Sequence, residues 1–176
     1  MWSKKMLTFW LYGLSGSGKT TIADKLLEKF PPFQSMLRLD GDILRTGLSV
    51  DLGYTKYDRA ENIRRAAQVC NITNQKLHVL ATFMTPTYFH QEIVKSVLNK
   101  NLRLIYIDAP VDECRNRDPK GLYKKQSEGL IKNLSGVDSA FEINKQNNLC
   151  IDTVNNSIDD CVYILRDYII KETKKC

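Results

Sequence analysis

The sequence has no cysteine pair at CxxC spacing. Its five cysteines (Cys70, Cys114, Cys150, Cys161 and Cys176) are odd in number and scattered, which argues against a disulfide framework and a zinc site and favours a reducing compartment. Histidine is rarer still. His78 and His90 lie far from any ligand-like cluster, so a histidine-based metal site is not expected. Long apolar runs are missing too. Leu7–Tyr12 is too short for a signal segment with a cleavage site, and no stretch could span a bilayer. The expectation is a cytoplasmic protein with no membrane partner. Repeats, low-complexity tracts and linkers are absent, as is a basic groove interleaved with aromatics, so nucleic acid is not an expected partner.

What is present is ordinary globular material. The 176 residues fit one domain, 1–176, and 43% hydrophobic with 26% charged residues is enough to bury a core. The formal charge of +6 comes from 26 Lys and Arg against 20 Asp and Glu. That excess suits a polyanionic ligand, but a lysine-rich surface would give the same number. Charge alone decides nothing.

Strand-like and helix-like stretches alternate. Leu7–Tyr12 reads as a buried strand stopped by Gly13, followed by a helix over Thr20–Phe30 that Pro31-Pro32 ends. Ser35–Leu39 reads as a second strand, closing on Asp40-Gly41-Asp42. Thr55 and Asp58 resemble a capping box with Asp in place of Glu, and Arg59 to Asn74 continues as a helix. Further strands are expected at Leu77–Phe83, Leu102–Ile107 and Leu149–Asp152, with helices at Tyr88–Asn99, Val111–Arg117 and Ser157 to about Lys171. This order predicts an α/β, three-layer P-loop kinase fold, with a central parallel sheet of about five strands and helices on both faces. Crossover handedness then puts the strand C-termini along one edge, and the loops after strands one to three carry the interest.

The first of those loops is chemically explicit. Gly13-Leu14-Ser15-Gly16-Ser17-Gly18-Lys19-Thr20 matches the Walker A pattern in full and is followed by Thr21. Glycines let successive N–H groups converge on phosphate oxygens, and the helix beginning near Lys19 adds its positive end. Gly13, Ser15, Gly16, Ser17, Gly18, Lys19, Thr20 and Thr21 are therefore the expected ATP site. Lys19 would reach the β- and γ-phosphates, and the Thr20 hydroxyl would ligate Mg²⁺.

Beyond this loop the chain resembles the adenylylsulfate kinases over about three-quarters of its length. The blocks that carry the resemblance are Gly13–Thr21, Leu39–Asp42, Arg45–Leu48, Asp51–Tyr54, Asp58–Arg65, Phe83–Pro86, Asp108–Pro110, Arg117–Lys125 and Ile131-Lys132. The resemblance implies an ATP- and Mg²⁺-dependent kinase acting on the 3′-hydroxyl of a small nucleotide, adenylylsulfate in that family. It implies Asp42 as the base that takes the hydroxyl proton, a role a carboxylate suits, and Asp40 as the group that positions Mg²⁺ through water. An alternative for either aspartate is to cap a short helix after Gly41.

The resemblance also places Arg45, Arg59 and Asn62 on the acceptor's phosphosulfate, where the guanidinium fork fits tetrahedral oxyanions. Tyr54, Phe83, Thr85, Ile131, Lys132 and Leu134 fall at acceptor positions. Arg117 falls where it would pack on the donor adenine. The stretch from about 119 to 136 resembles a mobile lid, with Lys120, Gly121, Leu122, Tyr123, Lys124 and Lys125 over the donor phosphates. Arg64 and Arg65 read as surface charge. Homodimers are common among such kinases, although no residue here indicates one.

The departures cluster at the acceptor. Ile43 replaces the usual Asn, and Thr87-Tyr-Phe-His90 replaces a basic stretch. Leu134 stands where the family carries Phe, leaving Tyr54 as one side of an aromatic sandwich, a loss on the order of 1 kcal/mol of base stacking. Relatives that phosphorylate cytidine diphosphoramidate in capsule modification offer an alternative acceptor. A nucleic-acid end kinase and a non-catalytic nucleotide-binding module are more distant alternatives.

Overall fold

The computed structural model describes residues 6–175. Five parallel strands form one sheet in the order β2-β3-β1-β4-β5: β1 Thr8–Tyr12, β2 Leu37–Asp40, β3 Val79–Phe83, β4 Leu102–Asp108 and β5 Leu149–Asp152. Between and after them run α1 Lys19–Lys29, α2 Gly41–Arg45, α3 Lys56–Thr73, α4 Tyr88–Leu98, α5 Val111–Arg117, α6 Leu122–Ser127 and α7 Ile158–Thr173.

Side-chain alternation sorts the strands into two cores. Phe9 and Leu11 of β1, with Ile105 and Ile107 of β4, pack with Ile22 and Leu26 of α1 and with Val162, Leu165 and Ile169 of α7. Trp10 and Tyr12, with Leu104 and Tyr106, pack on the other face with Ile63 and Ala67 of α3 and Val94 and Leu98 of α4. Both faces are covered, which is why β1 reads as an uninterrupted apolar run.

Several boundaries differ from the sequence expectation for identifiable reasons. The second strand starts at Leu37 rather than Ser35, because Pro31–Ser35 forms a 3₁₀ turn after α1. The Thr55–Asp58 capping box forms reciprocally as expected, and the helix it opens ends at Thr73, with Asn74 as its C-cap. The lid stretch, for which the sequence suggested no helix, contains α6. Both carboxylate oxygens of Asp118 accept backbone N–H groups there, from Tyr123 at 3.2 Å and Lys124 at 3.0 Å. A third small core of Leu14, Ala109, Cys114, Tyr123 and Leu134 joins this segment to the glycine loop.

Candidate active site

The strand ends open on one cavity of about 940 Å³ that runs from the glycine loop to the segment after α2. Its donor end is built from backbone. Gly16 has φ +80° and Gly18 φ +101°, the left-handed region that glycine tolerates, and a Cβ on Gly16 would lie 2.8 Å from the Cys114 carbonyl oxygen. Ser15, Gly16, Gly18, Lys19, Thr20 and Thr21 line the cavity. Gly13 and Ser17 lie buried behind them, shaping the loop from within.

The Lys19 ammonium folds back on the loop, donating to the carbonyls of Gly13 at 2.9 Å and Leu14 at 2.6 Å. Burial, and then the nearby Lys120, push its pKa down to about 8. A bound phosphate would replace those carbonyls with a stronger, charged acceptor.

Asp40 ends β2 and ties the donor end to the acceptor end. Its Oδ2 accepts from Thr82 Oγ1 at 2.6 Å, Thr20 Oγ1 at 3.1 Å and Arg38 at 3.2 Å, while Oδ1 accepts the Asp42 N–H at 2.9 Å. It therefore caps α2 and also faces the Walker threonine. Burial raises its pKa, but the bonds from Thr82, the Asp42 amide, Arg38 and Thr20 outweigh that and keep it below the usual carboxylate range.

Asp42, in the first turn of α2, is exposed and forms an ion pair with Lys120 of the lid segment. Arg45 leaves the last turn of α2 with its guanidinium 4.6 Å from the Tyr54 ring centre, and it donates to the Gly53 carbonyl at 2.7 Å. Arg59 of α3 approaches the same ring at 5.6 Å and donates to the carbonyls of Tyr54 and Asn133. Burial and the adjacent Arg45 both lower the pKa of Arg59, which remains a cation. Two guanidiniums converging without a carboxylate between them form a place for an oxyanion.

Not every expected acceptor residue reaches the cavity. Phe83 is buried and stacks on Trp10, with ring centres 4.5 Å apart. Thr85 is fully buried, and its hydroxyl accepts the Trp10 indole N–H at 2.9 Å. Alternation explains the correction. Residues 83 and 85 point into the α3/α4 core, while Thr82 and Met84 line the cavity. Asn62 is buried in α3, off the cavity wall, and its Oδ1 has no hydrogen-bond partner. Arg45, Tyr54, Arg59, Ile131, Lys132 and Leu134 do line it.

In the lid segment Lys120, Leu122 and Lys125 face the cavity, whereas Gly121 and Lys124 do not. Tyr123 is buried, and its hydroxyl donates to the Ser15 carbonyl at 2.9 Å, pinning the segment to the glycine loop. Arg64 and Arg65 pair with Glu61, and Arg65 also with Asp51, as expected of surface charges. Arg117 lines the donor end. Sequence reasoning missed Arg38, Thr82, Met84, Thr153 and Asn156. The last two follow β5 at the same sheet edge, so the rule that singled out the first three loops would have found them.

A phosphate cradle and a second cationic site facing each other across one cavity, on a parallel sheet with this strand order, define a P-loop kinase. The sequence model of the adenylylsulphate kinase family matches residues 5–152. The adenylyl-sulfate kinase of Clostridium kluyveri is 38% identical over 165 residues, covering 93% of this chain and 83% of that protein. That of Pseudomonas aeruginosa is 40% identical over 163 residues, covering 91% and 83%. Among solved structures, the Mycobacterium tuberculosis APS kinase CysC in complex with AMPPNP and APS superposes with a TM-score of 0.88 at 34% identity, covering 94% of this chain and 98% of that one. The chain belongs to the adenylylsulphate kinase family.

Proposed function

We propose that this protein, acting as a single catalytic domain, transfers the γ-phosphate of ATP to the 3′-hydroxyl of adenylylsulfate, giving 3′-phosphoadenylylsulfate. The observation that carries the reading is the pairing of Arg45 and Arg59 around Tyr54 at the far end of the cavity that begins at Lys19. Relatives support it: the M. tuberculosis protein is a complex with an ATP analogue and APS.

In this reading the glycine-loop amides and Lys19 hold the donor phosphates. Arg45 and Arg59 seat the acceptor's phosphosulfate, and Tyr54 packs on its base. Asp42 accepts the 3′-hydroxyl proton once Lys120 has turned from it to the donor phosphates. That move converts one ion pair into a free base and a phosphate countercharge.

The oxygen groups present suit Mg²⁺. Thr20 and an ionised Asp40 adjoin the phosphate cradle, and among the described residues no cluster of three or more His, Cys, Asp or Glu could hold a metal by itself. An ion carried chiefly by phosphates and water fits that set. Bound there, Mg²⁺ would neutralise charge on the transferred group.

One observation favours a second acceptor, cytidine diphosphoramidate. Leu134 is buried in the small core with Leu14, Cys114 and Tyr123 and itself brings no aromatic face to the cavity that Tyr54 lines, which penalises a pyrimidine less than a purine. ADP release measured with adenylylsulfate and cytidine diphosphoramidate side by side tests both. Turnover with adenylylsulfate alone supports the first reading, turnover with the cytidine compound alone the second, and turnover with neither ends both.

A further inference from the structure

Thr20 and Asp24, one turn apart on α1, both touch β2. Thr20 Oγ1 donates to Asp40 at 3.1 Å, and Asp24 accepts from Arg38 Nε at 2.8 Å. Residues 20 and 24 share a helix face, and residues 38 and 40 share a strand face. The four side chains therefore meet as a rectangle between the ATP helix and the strand that leads into α2. Leu37 and Leu39 pack instead against the α3/α4 core.

Arg38 closes that rectangle, with its side chain 17% exposed. Nη1 donates to the Leu39 carbonyl and to Thr82 Oγ1, each at 2.8 Å, and Nη2 donates to Asp40 Oδ2 at 3.2 Å. Thr82 lies opposite Asp40 on β3 and donates to the same Oδ2 at 2.6 Å. A guanidinium supplies this many donors from one rigid plane, which an ammonium cannot. Removing it would leave Asp40 a buried carboxylate without its paired cation, and such a group turns toward water or takes up a proton. Asp40 is also the N-cap of α2, through its bond to the Asp42 N–H. A helix of five residues has little besides its cap to hold its start.

We propose that Arg38 is a positioning residue for phosphoryl transfer: it locks Asp40 between α1 and α2, and so fixes where Asp42 stands relative to phosphates held by the ATP helix. Arg38 is not among the residues that line the cavity, so it acts on the reaction through Asp40. The inference takes Asp42 as the base from the function proposed above. It adds a residue that lies just outside the Leu39–Asp42 block.

Kinetics on the full chain, with displacement of a fluorescent ATP analogue, give the first test. Arg38→Met should lower kcat about tenfold, while KM for ATP and ATP affinity change by less than about twofold, because a misplaced reacting group costs rate rather than binding. Arg38→Lys keeps the charge without the fork and should recover part of that loss. Asp24→Asn breaks an exposed pair and should cost at most about twofold. Amide exchange followed by NMR without nucleotide reads the lock directly. The Asp42 N–H should exchange about tenfold faster in Arg38→Met, with the amides of α3 and α7 unchanged. An unchanged Asp42 amide, or a loss of ATP affinity in step with kcat, would overturn the proposal and leave Arg38 an ordinary brace of the fold. If Arg38→Met does not fold, the same readouts on Arg38→Lys decide. A wild-type protein that phosphorylates neither acceptor would sink the proposed function and leave the exchange measurement intact.

Discussion

The two ends of the cavity are made differently. The donor end is a contiguous loop whose shape comes from backbone, with Ser17 fully buried behind it and Lys19 bonded to the loop's own carbonyls. The acceptor end is assembled from α2, the segment before α3, α3 itself and the lid, and its Tyr54 is 61% exposed. One end is preformed, while the other consists of side chains resting on each other until a ligand arrives. Mutations at the donor end should therefore act nearly all-or-none, and those at the acceptor end by degrees.

The largest effect should come from Lys19→Ala, which leaves the phosphate charge unmatched and should lower turnover by on the order of 10³-fold; retention of half the activity would break the comparison. Asp42→Asn comes next. Turnover should fall by about 10²-fold with ATP affinity unchanged in the same displacement assay, and near-normal turnover would remove Asp42 as the base.

A third test uses pH. Free Lys19 titrates at about 8, and bound phosphate favours its charged form. ATP affinity should hold steady below that value and fall as pH rises through it, by up to about tenfold per unit. Lys120→Met removes a like charge that lowers the Lys19 pKa, so the break should move to higher pH. A break that stays put would assign the titration to another group.

The smallest effect belongs to the acceptor end. Leu134→Phe should improve kcat/KM for adenylylsulfate relative to the cytidine acceptor by about fivefold, the equivalent of roughly 1 kcal/mol of stacking. An unchanged ratio would show that the position does not touch the base.

The same contrast governs what could be read without coordinates. The Walker loop is contiguous, so its residues and their chemistry are visible in one stretch, and β5 and α5 have the bounds expected of them. Asp40 and Asp42 were legible as a pair with different expected roles, although the bonds that hold Asp40 were not. Asp40 takes four hydrogen bonds because Arg38, Thr82 and Thr20 reach it from three different elements. Phe83 and Thr85 were misplaced because a resemblance marks a segment, whereas strand alternation decides which of its side chains faces the ligand. Thr153 was overlooked because it reaches Arg117 and the glycine loop across more than thirty residues of intervening chain, and Asn156 because it joins the cavity wall from that same distant turn. α6 was missed because its first amides are satisfied by Asp118, outside the usual cap position.

The placement of Asp40 has one more consequence. One of its oxygens accepts from Thr20 in the first turn of the ATP helix, and the other accepts from the N–H of Asp42, proposed above as the base. Both reactants are thus surveyed from a single benchmark, and a chain without it should still collect its two nucleotides but present them to each other out of true.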